Sequence, residues 1–364
     1  MDRSAPLVAI RDLRLNFHTF EGVARTLVGV DLTLRRGDVL GLVGETGCGK
    51  TMTALSIPRL IPCPPGEIVA GQVLFDGQDV LAKSEAEMQE LRARRMALIF
   101  QDPTTNLNPV FTIEEQMVDA ILSKQGIRSL WSYTPVARLL PTPREQRRQA
   151  RQVAVEMLRR VGIPQPERRI HSYPHEFSGG MKQRVLIAMA VAGRPDLLIA
   201  DEPTTALDVS IQAQILRLFK RLVQEFHLTV LLITHNLGVV ARTCNRVAVM
   251  YAGRVVEEGD VRSIFKNPQH PYTQGLLRAL PTREHRKGEL EGIPGSIPSP
   301  LAPPSGCRFH PRCPHALAVC PEEPPPMLPM GPNHRVACYL YADHGPAGAG
   351  EDLDDAPALL GDAS

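Results

Sequence analysis

Gly44-Glu45-Thr46-Gly47-Cys48-Gly49-Lys50-Thr51 fits the pattern G-x-x-x-x-G-K-[ST] in the context that gives it a mechanism. It follows an apolar run, DVLGLVG at 38–44, and opens a stretch of helical texture that ends before Pro58. Glycines let the backbone curl so that successive N–H groups point inward and, with the helix start, hold phosphate oxygens. Lys50 is expected to neutralise the β- and γ-phosphates, and the Thr51 hydroxyl to bind Mg²⁺, with Met52 next along the same turn. The motif names a nucleoside triphosphate and no particular reaction.

Upstream, VAIRDLRLNF (8–17) and TLVGVDLTL (26–34) have strand texture and are separated by Glu21-Gly22. Downstream, strand segments recur at QVLFDGQDV, MALIFQ, DLLIAD, LTVLLITH and RVAVMYAGRVVEEG. The runs at 197–200 and 229–234 are short, continuous and β-rich, as expected of central parallel strands buried on both faces. Between about 85 and 180 the texture is helical. REQRRQARQVAVEMLRRVGI (144–163) puts Ala150, Ala154, Met157, Leu158 and Val161 on one helical face. Within it, 127–143 carries the only tryptophan, Trp131, and reads as an insertion. After Gly259 the chain turns irregular, and its tail from 343 is acidic and small-residue, a composition of disordered segments.

Two further segments complete a phosphate chemistry. Leu197-Leu198-Ile199-Ala200-Asp201-Glu202 is an apolar strand ending in two carboxylates, placing Asp201 on the metal's water shell and Glu202 beside an attacking water. In Phe177-Ser178-Gly179-Gly180-Met181, Ser178 caps the helix KQRVLIAMAVA, and the glycines allow close approach to an anion. Local chemistry alone reads that segment equally as an ordinary cap.

Order and spacing decide. The glycine loop, Gln101 after MALIF, the Ser-Gly-Gly helix start, strand-Asp-Glu, Ala206-Leu207-Asp208 and His235 after LTVLLIT resemble the ATP-binding-cassette (ABC) ATPases over about residues 8–260. The resemblance implies a P-loop NTPase core, a RecA-like parallel sheet plus an antiparallel β subdomain, with an inserted helical subdomain. It implies that Gln101 senses Mg²⁺ and water and links the site to a membrane partner, and that Glu202 is the general base. His235 then contacts the γ-phosphate, Ser178, Gly179 and Gly180 contact ATP held by an opposite subunit, and Asp208 lies at the dimer seam. The usual LSGGQ reads FSGGM here, with the phosphate-touching Ser-Gly-Gly intact. An aromatic upstream of the loop should stack on adenine. Phe17 and Phe20 are the candidates, core packing being the alternative for either.

The charge balance, 41 Lys+Arg against 39 Asp+Glu, argues against a nucleic-acid binder, as does the lack of a basic stripe with interleaved aromatics. No apolar run approaches the ~18 residues of a membrane span, and the N-terminus lacks a secretory pattern. A transporter motor built this way acts through a separate permease. The C-terminal pieces narrow the branch: His270-Pro271-Tyr272-Thr273 with GLLRALP, Ile293-Pro294-Gly295-Ser296-Ile297-Pro298, then GCRFHPRCPHALAVC resemble the oligopeptide/dipeptide permease ATPases, a tail shared with nickel and glutathione importers. The resemblance implies a second ABC ATPase subunit in a head-to-tail dimer, two transmembrane permease subunits and an extracytoplasmic substrate-binding protein, on the cytoplasmic face of the inner membrane. The alternative is a soluble ABC ATPase acting on nucleic acid through a C-terminal zinc module. The expected division is 1–88 with 182–285 as the ATPase core, 89–181 as the helical subdomain, 286–342 as the Cys-rich extension and 343–364 as the tail.

Proline is 33 of 364 residues, nearly twice the average of about 5%, and the excess gathers at 292–332. There Cys307, Cys313, Cys320 and Cys338 fall in a segment with little apolar periodicity of its own. Cytosolic thiols stay reduced, so a metal centre is expected rather than a disulfide. The spacing C-x5-C-x6-C-x17-C lacks the short pairs of zinc sites and suits a [4Fe–4S] cluster, with Arg308, Arg312 and Arg335 offsetting its charge. Zinc, with His310, His315 or His334 as a fourth ligand, and four unrelated thiols are the alternatives. Cys48, Cys63 and Cys244 read as lone thiols.

Overall fold

The computed structural model describes residues 5–100, 106–125, 144–204, 208–280 and 292–342. Gln101, Ala206, Leu207, the 127–143 insertion with Trp131 and the acidic tail lie outside the described residues. In chain order the strands are β1 (Pro6–Thr19), β2 (Gly22–Arg35), β3 (Val39–Val43), β4 (Gly66–Phe75), β5 (Gln78–Asp79), β6 (Met96–Ile99), β7 (Leu197–Asp201), β8 (Thr229–Ile233), β9 (Arg246–Tyr251), β10 (Arg254–Asp260), β11 (Leu328–Gly331) and β12 (His334–Val336). The helices are α1 (Lys50–Ser56), α2 (Glu85–Arg95), α3 (Ile113–Lys124), α4 (Arg144–Arg160), α5 (Pro166–Arg169), α6 (Gly179–Ala192), α7 (Val209–Phe226), α8 (Leu237–Thr243), α9 (Val261–Lys266) and α10 (Pro271–Arg278). They fall into two compact units.

The first unit comprises Met1–Leu7, Leu34–Val39 and Phe75–Ile233. Its strands β6, β7 and β8 pair in parallel, with Leu197 between Met96 and Thr229. Four of the five residues of β7 and all of β8 are buried, which is why their sequences are continuous apolar runs rather than alternating ones. α2 and α3 each start at a capping box, Ser84 with Glu87 and Thr112 with Glu115. Such boxes satisfy two orphan N–H groups at once. On α4, Ala150, Ala154, Met157 and Leu158 are buried, and Val161 follows at full burial, so the expected apolar face holds. Gly180 is where α6 meets α7: a Cβ there would lie 2.7 Å from Ile211 Cγ2.

The second unit comprises Val8–Thr33, Leu40–Leu74 and Thr234–Ser364. β3 pairs in parallel with β9, β9 with β10 antiparallel, and β10 in turn with β12 of the C-terminal extension. Two expectations are corrected here. The chain does not become irregular after Gly259, since α9 and α10 follow directly. Nor does the Pro-rich extension stand without a core: β12 joins the sheet, and Phe309, 2% exposed, packs edge-on against Tyr251 with ring centroids 5.1 Å apart. Tyr272 closes the cluster, 5.4 Å from Phe309. Apolar periodicity did not show this because the extension contributes single anchors to a core built elsewhere.

Two buried carboxylates secure the join. Glu257, fully buried, accepts from the Gln269 and His270 N–H groups and lies 2.7 Å from His334 Nε2. Glu258 pairs with Arg246 and Arg335. Buried charge persists only with such partners.

Candidate functional site

The glycine loop leaves the buried end of β3 and closes onto α1, whose first residue is Lys50. Two glycines are sterically demanded. Gly44 sits at φ +150 with the Met250 carbonyl oxygen only 2.1 Å from where a Cβ would stand, and Gly49 at φ +105 lies against Leu27. Lys50 is 6% exposed. Its Nζ donates to the carbonyls of Gly44 (2.8 Å) and Glu45 (2.9 Å), with Cys48 Sγ at 3.8 Å. Among the described residues none of its partners is an anion, so its charge remains available to a polyphosphate. Burial pushes the Cys48 thiol up against the opposing pull of Lys50.

Glu45 shows what sequence reasoning missed. Its N–H donates to Tyr272 Oη at 2.9 Å, and its carboxylate is gripped by both terminal nitrogens of Arg312, at 2.8 and 3.3 Å. The phosphate loop is therefore held from outside by α10 and by the Cys-rich extension. His270-Pro271-Tyr272-Thr273 was legible as a segment, but nothing in it announces a partner 227 positions upstream. Of the two candidate stacking rings, Phe20 is 99% exposed, whereas the Phe17 ring packs against the Gly66 backbone.

In the first unit, Asp201 ends β7 and Glu202 follows, both part-buried. Glu202 has φ +45, and its N–H donates to the Ile233 carbonyl at 2.9 Å. A left-handed glutamate is costly, and such strain gathers at functional positions. Ser178 caps α6 by accepting from the Met181 N–H at 3.4 Å. Gln183, one turn on and 1% exposed, donates to the Pro203 carbonyl at 2.6 Å, so α6 clamps the turn just after Glu202. Ser178 and Gly179 are exposed. Gly180 is half-buried against Ile211, so its missing side chain serves helix packing. Asp208 is exposed at the start of α7 and its side chain makes no cap bond. His235, also exposed, stands two residues beyond β8. The structure thus gathers the phosphate loop, Phe20 and His235 in the second unit, and Asp201, Glu202, Ser178, Gly179 and Asp208 in the first.

Cys307, Cys313, Cys320 and Cys338 line one cavity of ≈10 Å³ together with His310 and His315. Burial pushes up the thiols of Cys307 and Cys313, and that of Cys338 to about 11. Among the described residues, however, no three His, Cys, Asp or Glu side chains are arranged as a metal site. The donor set suits a thiolate-held group. The flanking arginines do not serve the cavity as expected. Arg308 donates to the Ala252 carbonyl, Arg312 to Glu45 and Arg335 to Glu258. His334 is likewise committed to Glu257.

Comparison with known proteins agrees with this geometry. Residues 27–205 match the ABC transporter family, and residues 256–320 match the oligopeptide/dipeptide transporter C-terminal region. The chain is 48% identical to a probable peptide ABC transporter ATP-binding protein of Sinorhizobium fredii, covering 92% of this chain and 94% of that one. It is 44% identical to the oligopeptide transport ATP-binding protein OppD of Bacillus subtilis, covering 95% and 92%. A dimeric bacterial ABC transporter cassette, MJ0796, superposes with TM-score 0.57 at 27% identity, over 70% of this chain and 99% of that one. Among the described residues no helix is long and apolar enough to cross a membrane. With its glycine loop, strand-end carboxylate pair, capped Ser-Gly-Gly helix and Cys-rich extension, the chain belongs to the ATP-hydrolysing, ATP-binding proteins of the oligopeptide/dipeptide branch of ABC transporters.

Proposed function

We propose that this chain couples ATP hydrolysis to uptake of di- or oligopeptides through a separate permease of two transmembrane subunits, fed by an extracytoplasmic substrate-binding protein. It works as a peripheral protein at the cytoplasmic face of the inner membrane. A second ABC ATPase subunit joins it head-to-tail, each presenting Ser178, Gly179 and Gly180 to the other's phosphate loop. The ATPase core is 1–88 with 182–285, the helical subdomain 89–181 and the extension 286–342. The names of the relatives support the cargo and the dimeric MJ0796 cassette supports the assembly. The observation that carries the reading is Glu45, tied at once to α10 and to the extension, since it joins the nucleotide loop to the peptide-branch tail.

At the site, the glycine loop Gly44–Thr51 and the Lys50 ammonium hold the phosphates, and Phe20 stacks on adenine. Thr51, Asp201 and Gln101 would hold Mg²⁺, which would supply charge neutralisation at the β- and γ-phosphates. Glu202 takes the proton of the attacking water, and His235 and Asp208 fix the γ-phosphate side and the seam. Nucleic acid has no role, the near-neutral charge offering no counter-field. Purification of the intact membrane complex tests the whole reading. Copurifying permease subunits and ATP-dependent peptide uptake are expected, and a nucleic-acid-bound chain without membrane partners would overturn it.

Cys307, Cys313, Cys320 and Cys338 together hold one metal centre with a structural or redox-sensing role, a [4Fe–4S] cluster in the first place and zinc as the alternative. Their shared cavity supports this. Anaerobically purified protein should be brown, with iron and sulfide near ~4 per chain. A colourless preparation with ~1 zinc per chain would replace the cluster with a zinc site, and no bound metal would reject both.

A further inference from the structure

Arg312 is a heavily engaged cation beside the phosphate loop, and hydrolysis as described does not use it. Its side chain is 6% exposed. Besides the forked contact with Glu45, Nε donates to the Pro294 carbonyl at 2.8 Å and Nη2 to the Ile293 carbonyl at 3.1 Å. Nη1 lies 3.4 Å from Tyr251 Oη, and the guanidinium carbon sits 5.8 Å from that ring's centroid. The arginine is thus held by backbone carbonyls of the extension and by β9, and it directs its remaining donors at one carboxylate.

That carboxylate is in an awkward place. Glu45 lies in a loop built to collect a polyanion, between Gly44 and Gly47, both at positive φ. Uncompensated, its charge would oppose the incoming phosphates, and the two glycines would leave its backbone free to wander. A forked arginine–carboxylate contact answers both problems, since it neutralises the charge and fixes the geometry. The Tyr272 hydroxyl holds the N–H of the same residue, and Lys50 its carbonyl.

We propose that Arg312 is a positioning residue for ATP: the C-terminal extension braces the phosphate loop in cis by pinning and neutralising Glu45. The brace acts through Glu45 and does not touch nucleotide. It rests on the reading of the loop as the ATP cradle, and a Lys50→Ala control separates the two. If Lys50→Ala leaves ATP affinity intact, the cradle reading falls and the brace with it.

Steady-state hydrolysis by the full chain in low salt gives the readout. Arg312→Ala should raise KM for ATP about tenfold, the scale of one charge-assisted contact, and leave kcat within about twofold. Adding Glu45→Gln should recover at least half of that loss on a logarithmic scale, because the uncompensated carboxylate is gone. The KM defect of Arg312→Ala should also shrink at high salt, because removing the arginine opens the Glu45 carboxylate to screening ions. A purely structural arginine predicts neither the rescue nor the salt effect. Should Arg312→Ala not fold, Arg312→Lys carries the test: it keeps the charge and stem but loses the fork, and a rise in KM of about threefold is expected. Unchanged KM in the folded arginine variants overturns the proposal, as does a double variant worse than Arg312→Ala alone.

Discussion

Glu202 sits at φ +45 at the mouth of β7, with its N–H already spent on the Ile233 carbonyl. The backbone conformation and its hydrogen bond thus fix where the residue leaves the strand. Gln has the same shape and meets the same backbone, so Glu202→Gln removes the base without releasing the strain. Turnover should fall by ~10²–10⁴, the usual cost of a lost general base, while ATP binding survives. Phosphate release and nucleotide retention measured side by side check this. Near-normal hydrolysis, in a dimer whose other site is disabled, would defeat the assignment of Glu202. At this scale the local placement of residues within short segments was legible: Lys50 at the start of α1, Asp201 at the end of β7 and Ser178 as the cap of α6. Arg312 was not, because its partner Glu45 lies 267 positions away and only the folded chain brings them together.

Among the elements, strong periodicity and continuous apolar runs carried the reading, and weak local signals did not. α4 and β7 behaved as their patterns imply, because each buries one face or both. β11 and β12 went unread: they are only four and three residues long, one contains Pro329, and the buried residues of β12 lie in a strand that pairs with β10. Lys124, in the last turn of α3, is a cost the sequence concealed. Its side chain lies over Gly193 at the end of α6, where a Cβ would meet Lys124 Cδ at 1.8 Å, and Nζ donates to the Ala190 carbonyl at 3.3 Å. Burial lowers its pKa to about 8 from an ordinary 10.5. Between those values the unfolded chain holds a proton that the native chain has released, so this group makes stability rise with pH from about 8 to 10.5. Below pH 8 the penalty is constant and at most about 3 kcal/mol. Lys124→Met should therefore stabilise the chain at pH 7 and flatten the rise above pH 8. Denaturant midpoints of both proteins at pH 7 and pH 10 test this, and a variant less stable at pH 7 would show the lysine's carbonyl bond to outweigh its desolvation.

At the scale of the molecule, the exposed start of α6 bears on assembly. Ser178 caps α6 and, with Gly179, faces solvent, in the same unit as Asp201 and Glu202, while Lys50 belongs to the other unit. If the Ser-Gly-Gly of one chain completes the phosphate loop of another, two sites form across a two-fold head-to-tail dimer. Ser178→Arg then disables the partner's Lys50 site and spares its own. In dimers of two differently tagged copies, placing Ser178→Arg on one chain and Lys50→Ala on the other puts both lesions in the same composite site. The second site stays whole, so ATP hydrolysis persists. Placing both changes on one chain, opposite a wild-type partner, damages each composite site once and should abolish hydrolysis. A signature acting in cis inverts the pattern, with activity surviving only when both lesions share a chain. Phosphate release from the two tagged pairs, purified in parallel, decides between the arrangements.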